Sequence, residues 1–213
     1  MDKRLIDQFW RERAEHKEGR WTDPAIVEYE LELLSPYATG SCRILDLGSG
    51  PAVLSRKLLG PSGSLTAVDK YREFLDSIPS DPRISKICSD VLDYEYPASY
   101  DLTLLFGVVT HLELNEEVRA YERAAAGLSP RGHFVVKNQV SKTDEKRVDG
   151  FSERLKCHYV GRYPAVLEQA ARLRRLFRNV VINSYPERFD TWPDTTHAAF
   201  ICSGAILPET ADS

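Results

Sequence analysis

The chain has 213 residues, 42% hydrophobic and 28% charged, enough for one real core and too few for two comfortable domains. With 28 Lys and Arg against 32 Asp and Glu the net charge is −4, so the basic surplus that phosphate-backbone binding uses is missing. Four separated cysteines, Cys42, Cys88, Cys157 and Cys202, form no CxxC pair, a pattern unlike a zinc cluster or a disulfide framework and suited to a reducing compartment. No apolar targeting segment follows Met1, and the longest apolar run, around residues 102–109, is far short of a membrane span. The expectation is a cytoplasmic protein with neither a nucleic acid nor a membrane as partner.

The predicted elements begin with a helix that gathers Leu5, Ile6, Phe9 and Trp10 on one face and Arg11, Glu12, Glu15 and Lys17 largely on the other, with Gly19 as its stop. Asp23-Pro24 opens a second helix, the acid as N-cap and the proline in the first turn, with Ile26, Tyr29, Leu33 and Leu34 inward and Pro36 at its end. Residues 1–40 thus read as a helical cover. From Arg43 onward, short apolar runs at 44–47, 65–68, 84–88, 102–106 and 133–136 read as five strands buried on both faces of a parallel sheet. The clearest intervening helix takes Asn115 as cap, Glu116 and Glu117 in its first turn, and Val118, Tyr121, Ala125 and Leu128 on one face. Residues 139–162 are polar and irregular, too long for a plain connection, and read as a lid or substrate segment. A helix starting near Tyr163-Pro164 turns Leu167, Ala170, Leu173 and Phe177 inward, and runs at 180–182 and 198–202 give two more strands. Alternating strands and helices predict an α/β fold, one domain over residues 1–213, doubly wound with helices on both faces of the sheet. Ligands on such sheets sit at the carboxyl ends of the strands.

The segment Ile44-Leu45-Asp46-Leu47-Gly48-Ser49-Gly50-Pro51-Ala52-Val53 reads strand, glycine turn, helix, so the backbone can approach a ligand at Gly48 and Gly50. A dinucleotide fingerprint wants a further glycine where Val53 stands. Asp46 would also repel a pyrophosphate, whereas it would attract an ammonium group. Asp69 closes the second strand, where a carboxylate can accept two ribose hydroxyls, and Asp90 closes the third, where it can accept from an exocyclic amine. Each acid alone is more often a helix cap than a ligand. Three at adjacent strand ends would repel one another in an empty crevice, so together they favour a ligand.

These residues, with Asp90-Val91 and the strand Tyr100-Asp101-Leu102-Thr103-Leu104-Leu105-Phe106, resemble the class I S-adenosylmethionine-dependent methyltransferases over residues 40–138. The resemblance implies a mostly parallel seven-stranded Rossmann-like sheet whose last strand is antiparallel, and S-adenosylmethionine as cofactor. It places Asp46 near the methionine ammonium, Asp69 on the ribose and Asp90 near the adenine, with Gly48, Ser49, Gly50, Lys70, Val91 and Gly107 completing the cofactor set. Ala52 stands where the family often has its third loop glycine.

The loop after the fourth strand, Phe106-Gly107-Val108-Val109-Thr110-His111, lacks both the Asn/Asp-Pro-Pro-aromatic motif that DNA and protein amino-methylating enzymes of this fold often carry and the Pro-Cys nucleophile of C5-cytosine enzymes. His111, just beyond that strand, is the candidate catalytic base for a hydroxyl acceptor, its bland alternative being a packing or capping role. Asn138, Gln139, His158, Tyr159 and Arg162 in and beside the polar segment, with Trp21 opposite, suit a polar, ring-shaped acceptor. A sugar or oligosaccharide hydroxyl is therefore the leading expectation, with a small-molecule amine, a nicotinamide oxidoreductase and a non-catalytic module as alternatives. His111, Glu113, Asn138 and Gln139 are short of carboxylates for Mg²⁺, so no metal ligand is assigned. A homodimer is left open.

Overall fold

Ile44 and Leu45 are both fully buried, yet they face different cores, and that opposition explains the uninterrupted apolar runs. The computed structural model describes residues 1–16, 23–97 and 99–206. Two helices come first, α1 (Lys3–Glu15) and α2 (Pro24–Leu34). Then follow β1 (Arg43–Leu47), α3 (Val53–Leu58), β2 (Ser64–Asp69), α4 (Arg72–Asp76), β3 (Ile84–Cys88) and β4 (Tyr100–Phe106). A 3-10 turn, Val109–His111, leads to α5 (Leu114–Ala126), β5 (Leu128–Ser141), β6 (Lys146–Ser152), β7 (Cys157–Tyr163), α6 (Val166–Leu173), β8 (Phe177–Ser184) and β9 (Thr195–Ala205).

Seven strands form one sheet in the order β3-β2-β1-β4-β5-β9-β8. The first five are parallel, and β9 runs antiparallel between β5 and β8. This is the expected Rossmann-like arrangement, its strand order reversing between β1 and β4, where a crevice must open. Leu45, Leu105, Phe134 and Phe200 pack on one face with Tyr121 and Ala124 of α5 and Leu173 of α6. Ile44, Leu104, Val135 and Ile201 pack on the other with Leu34 of α2 and Leu54 and Leu58 of α3.

Several local expectations change. The acid Asp23 caps α2 through the Ala25 amide, as its spacing predicts, but the buried side carries Val27, Glu30 and Leu34. Glu30 tolerates full burial because Lys137 of β5 lies 3.5 Å away and the Tyr185 hydroxyl donates to it. Helix α5 is capped by Glu113 in a capping box with Glu116, and Asn115 is already inside it. Leu128 opens β5, and Leu167 on α6 is 71% exposed. The largest change is at residues 139–162. They finish β5 and then form an antiparallel hairpin of β6 and β7 that pairs Lys146 with Tyr163 and Ser152 with Cys157. Its polar face simulated a loop because a two-stranded ribbon buries little. Trp21 and Gly19 lie outside the described residues.

Candidate active site

The loop after β1 is built by backbone geometry. Gly48 has φ +72° and Gly50 φ +51°, and the Gly48 and Ser49 amides both donate to the Val68 carbonyl, at 2.8 and 3.0 Å. A Cβ on Gly48 would sit 2.4 Å from Cγ2 of Val108, so the loop and the β4 exit approach as only glycine allows. Ala52 occupies the third loop position in the left-handed region at φ +51°, so alanine does not block the turn.

The three acids converge as their spacing predicts, each anchored. Asp46 accepts from the Ser55 hydroxyl at 2.6 Å. Asp69, 6% exposed, accepts from the Gly50 amide at 2.7 Å and the Tyr71 amide at 2.9 Å. Burial pushes its pKa up, with the nearby Asp90 charge adding to the effect and the amides of Tyr71, Gly50 and Lys70 opposing it. Asp90 is held through the Leu92 amide at 3.0 Å. The carboxylate on β2 therefore ties the glycine loop to its own strand end, a link the sequence does not display.

A cavity of about 430 Å³ opens over this loop, within the size range of small-molecule and cofactor sites. All of Asp46, Gly48, Ser49, Gly50, Asp69, Lys70, Asp90, Val91, Gly107 and His111 line it. Sequence reasoning missed the opposite wall, where α1 contributes Lys3, Ile6, Asp7 and Trp10. The apolar stripe with Ile6 and Trp10 was visible, but not what it covers. Helix α1 is fastened there by Lys3 to Glu116 and by Asp7 to Lys70 at 2.8 Å, with the Tyr71 hydroxyl on Asp7 at 3.0 Å. Lys70 first, then Arg11 and Tyr71, hold the Asp7 carboxyl down at about 2.

His111 ends the 3-10 turn after β4, with Phe9, Trp10 and Tyr159 rings 6.5, 5.4 and 5.8 Å from its own. Burial lowers its pKa to about 4, the Val160 backbone opposing and the Lys3 charge assisting. Its Nδ1 is buried with no hydrogen-bond partner. The imidazole is thus neutral at physiological pH and a weak base.

Among the described residues, the expected acceptor side chains Asn138, Gln139, His158 and Arg162 do not line this cavity. Asn138 is buried and bonds the Gln169 side chain, and Gln139 donates to Thr195 at 2.7 Å. Arg162 is fully buried between Glu117 and Glu145, and exposed His158 pairs with Asp149 at 2.7 Å on the hairpin. Tyr159 alone reaches the site, through its edge contact with His111. Among the described residues no group of three or more His, Cys, Asp and Glu gathers as a metal site.

The donors fit the cofactor that the sequence resemblance implies. A glycine cradle that a Cβ would fill, a buried carboxylate on β2 and an acid beyond β3 line one cavity. Residues 45–136 match the family described as Methyltransferase domain. The sheet around those residues has the Rossmann-like methyltransferase fold. Over 111 residues, 48% of its length, it is 31% identical to N-terminal Xaa-Pro-Lys N-methyltransferase 1 of Danio rerio, and it spans about half the length of that relative, 50%. The fold resembles the 1,6-didemethyltoxoflavin-N1-methyltransferase of Burkholderia thailandensis bound to its substrate and S-adenosylhomocysteine, with a TM-score of 0.72 at 17% identity, covering 97% of this chain and 89% of that one. It also resembles the glycopeptide N-methyltransferase MtfA with S-adenosyl-L-methionine, TM-score 0.64 at 15% identity, covering 85% and 94%. A third likeness is the N-terminal domain of EvdMO1 in the presence of S-adenosylhomocysteine and D-fucose, TM-score 0.66 at 15% identity, covering 95% and 97%.

Proposed function

We propose that this methyltransferase domain moves its methyl group to the neutral amine of a small polar molecule, with Asp46, Gly48, Ser49, Gly50, Asp69, Lys70, Asp90, Val91 and Gly107 holding the cofactor. The observation that carries the choice of acceptor is His111. The Phe9, Trp10 and Tyr159 rings pack around an imidazole whose burial holds its proton affinity down, a poor base for a hydroxyl, whereas an amine in its free-base form already presents a nucleophilic lone pair. Bound S-adenosylmethionine supplies an electrophilic methyl on a sulfonium, whose sulfur keeps the bonding pair as the amine takes the carbon. His111 Nδ1, with no protein partner, accepts an N–H from the acceptor and so turns its lone pair toward the methyl. The proton released afterwards goes to solvent, since an ammonium cannot give it to so weak a base. Trp10 and Ile6 exclude water from the α1 side.

The Danio rerio relative and two of the structural neighbours carry N-methyltransferase names, which supports the amine. The sugar or oligosaccharide hydroxyl read from the sequence is the second reading. The D-fucose present with EvdMO1 favours it, while the side chains chosen for it bond elsewhere. The same proposal has no nucleic acid or membrane as partner and no metal. It sets the chain in the cytoplasm, in line with four free cysteines and with no helix among the described residues long and apolar enough to cross a membrane. The test is transfer of labelled methyl to small amines, short peptides with a free α-amine, monosaccharides, oligosaccharides and catechols, each with Mg²⁺ and with a chelator. Labelling of amines that is indifferent to the chelator is expected, and labelling confined to hydroxyls overturns the amine.

A further inference from the structure

Three residues of β7 each engage a different residue of the segment 110–112 that carries His111. Tyr159 lays its ring edge against the His111 imidazole, with centroids 5.8 Å apart. At Gly161 the side chains of the turn and of β7 lie so close that a Cβ would come 3.1 Å from Cγ2 of Thr110 and 2.8 Å from the Tyr159 ring. The Arg162 guanidinium donates through Nε to the Leu112 carbonyl at 2.9 Å. That guanidinium is itself fixed, being wholly buried, paired to Glu145 at 2.8 Å and to Glu117 of α5, which also takes Arg172 at 3.0 Å. A buried cation with both neighbours charged has one geometry, so the carbonyl that it grips has one as well.

We infer that the β6–β7 hairpin is a brace for the acceptor side of the active site, in which Gly161 and Arg162 are positioning residues that set where His111 stands. The inference rests on the reading of His111 given under the proposed function. The hairpin's segment was expected to be a lid or substrate segment; its inner strand holds the Leu112 carbonyl and touches the Thr110 side chain, on either side of the imidazole. Displacing that ring by a fraction of an ångström misaligns the acceptor while the hydrogen bonds that hold Asp69 to the Gly50 and Tyr71 amides stay in place.

The test is a cycle of turnover measurements with S-adenosylhomocysteine affinity measured in parallel. Gly161→Ala, which unburies no charge, is expected to lower kcat about tenfold while the S-adenosylhomocysteine Kd stays within about twofold. Thr110→Ser removes the methyl 3.1 Å from the new Cβ but leaves the closer Tyr159 contact, and is expected to restore part of the loss. In a His111→Ala background Gly161→Ala is expected to cost nothing more, because the brace acts through the imidazole. Independently of activity, Arg162→Lys should speed exchange of the His111 and Leu112 amides about tenfold in the folded protein. An equal Gly161→Ala loss with and without His111, or unchanged amide exchange, overturns the brace. Near-native turnover of His111→Ala overturns the assigned role of His111 instead, and the exchange measurement then still judges the brace.

Discussion

Ser55 donates its hydroxyl to Asp46 at 2.6 Å, joining the first turn of α3 to the end of β1 across the glycine loop. Both residues are buried, so the bond forms away from competing water. Ser55→Ala is expected to lower stability by about 1–3 kcal/mol and to weaken S-adenosylhomocysteine binding less than Asp46→Ala does. Chemical denaturation and calorimetry check the two parts, and an unchanged stability would mean that the serine is incidental.

Asp69→Ala removes the assigned ribose ligand and also the acceptor of two backbone amides. A loss of about ten- to a hundredfold in S-adenosylhomocysteine affinity is expected, together with a lower Tm. Calorimetry showing native affinity would refute the ribose assignment.

Gly48→Ala combines a left-handed φ with a methyl 2.4 Å from Val108, and should destabilise by about 2–4 kcal/mol. Val108→Ala makes room for that methyl but leaves the φ penalty. The Val108→Ala change should therefore be milder in the Gly48→Ala background than in the native one, by about 1 kcal/mol. Additive effects in urea denaturation would show that the two residues do not touch.

Stability should fall with acid through His111. Its folded pKa is depressed to about 4 from an ordinary 6.5, so its contribution is complete above pH 6.5 and is lost as pH falls toward 4, where the unfolded chain takes up the proton. The loss is about 2–3 kcal/mol, and His111→Phe should show correspondingly less acid sensitivity in denaturation at pH 7 and 4.5. An equal decline in both proteins would place the imidazole in water.

The pH dependence of turnover separates the acceptors. With an amine, kcat/KM should rise through the amine's own ionisation and show no step near 6.5. With a sugar hydroxyl it should be flat from about pH 5.5 to 8, the range over which His111 is neutral. His111→Ala should lower kcat about a hundredfold while leaving S-adenosylhomocysteine affinity unchanged.

The sequence by itself determined the seven-stranded sheet, except that the 84–88 run, read as covered on both faces, is the largely exposed edge strand β3, and it determined the wall of the cavity that carries the three acids. Apolar runs buried on both faces require covered parallel strands, and an acid at a strand end beside a glycine turn carries its geometry locally, which is why Asp46, Asp69 and Asp90 were legible together. The acceptor side was decided only in tertiary structure. Asn138, Arg162 and His158 look alike as polar residues in one stretch, yet Gln169, Glu117 and Asp149, from 9 to 45 positions away, determine that the first two are buried and the third faces water. Whether His111 could serve as a base likewise turned on Phe9 and Trp10, about a hundred positions earlier in the sequence, because its proton affinity follows from what excludes water around the ring.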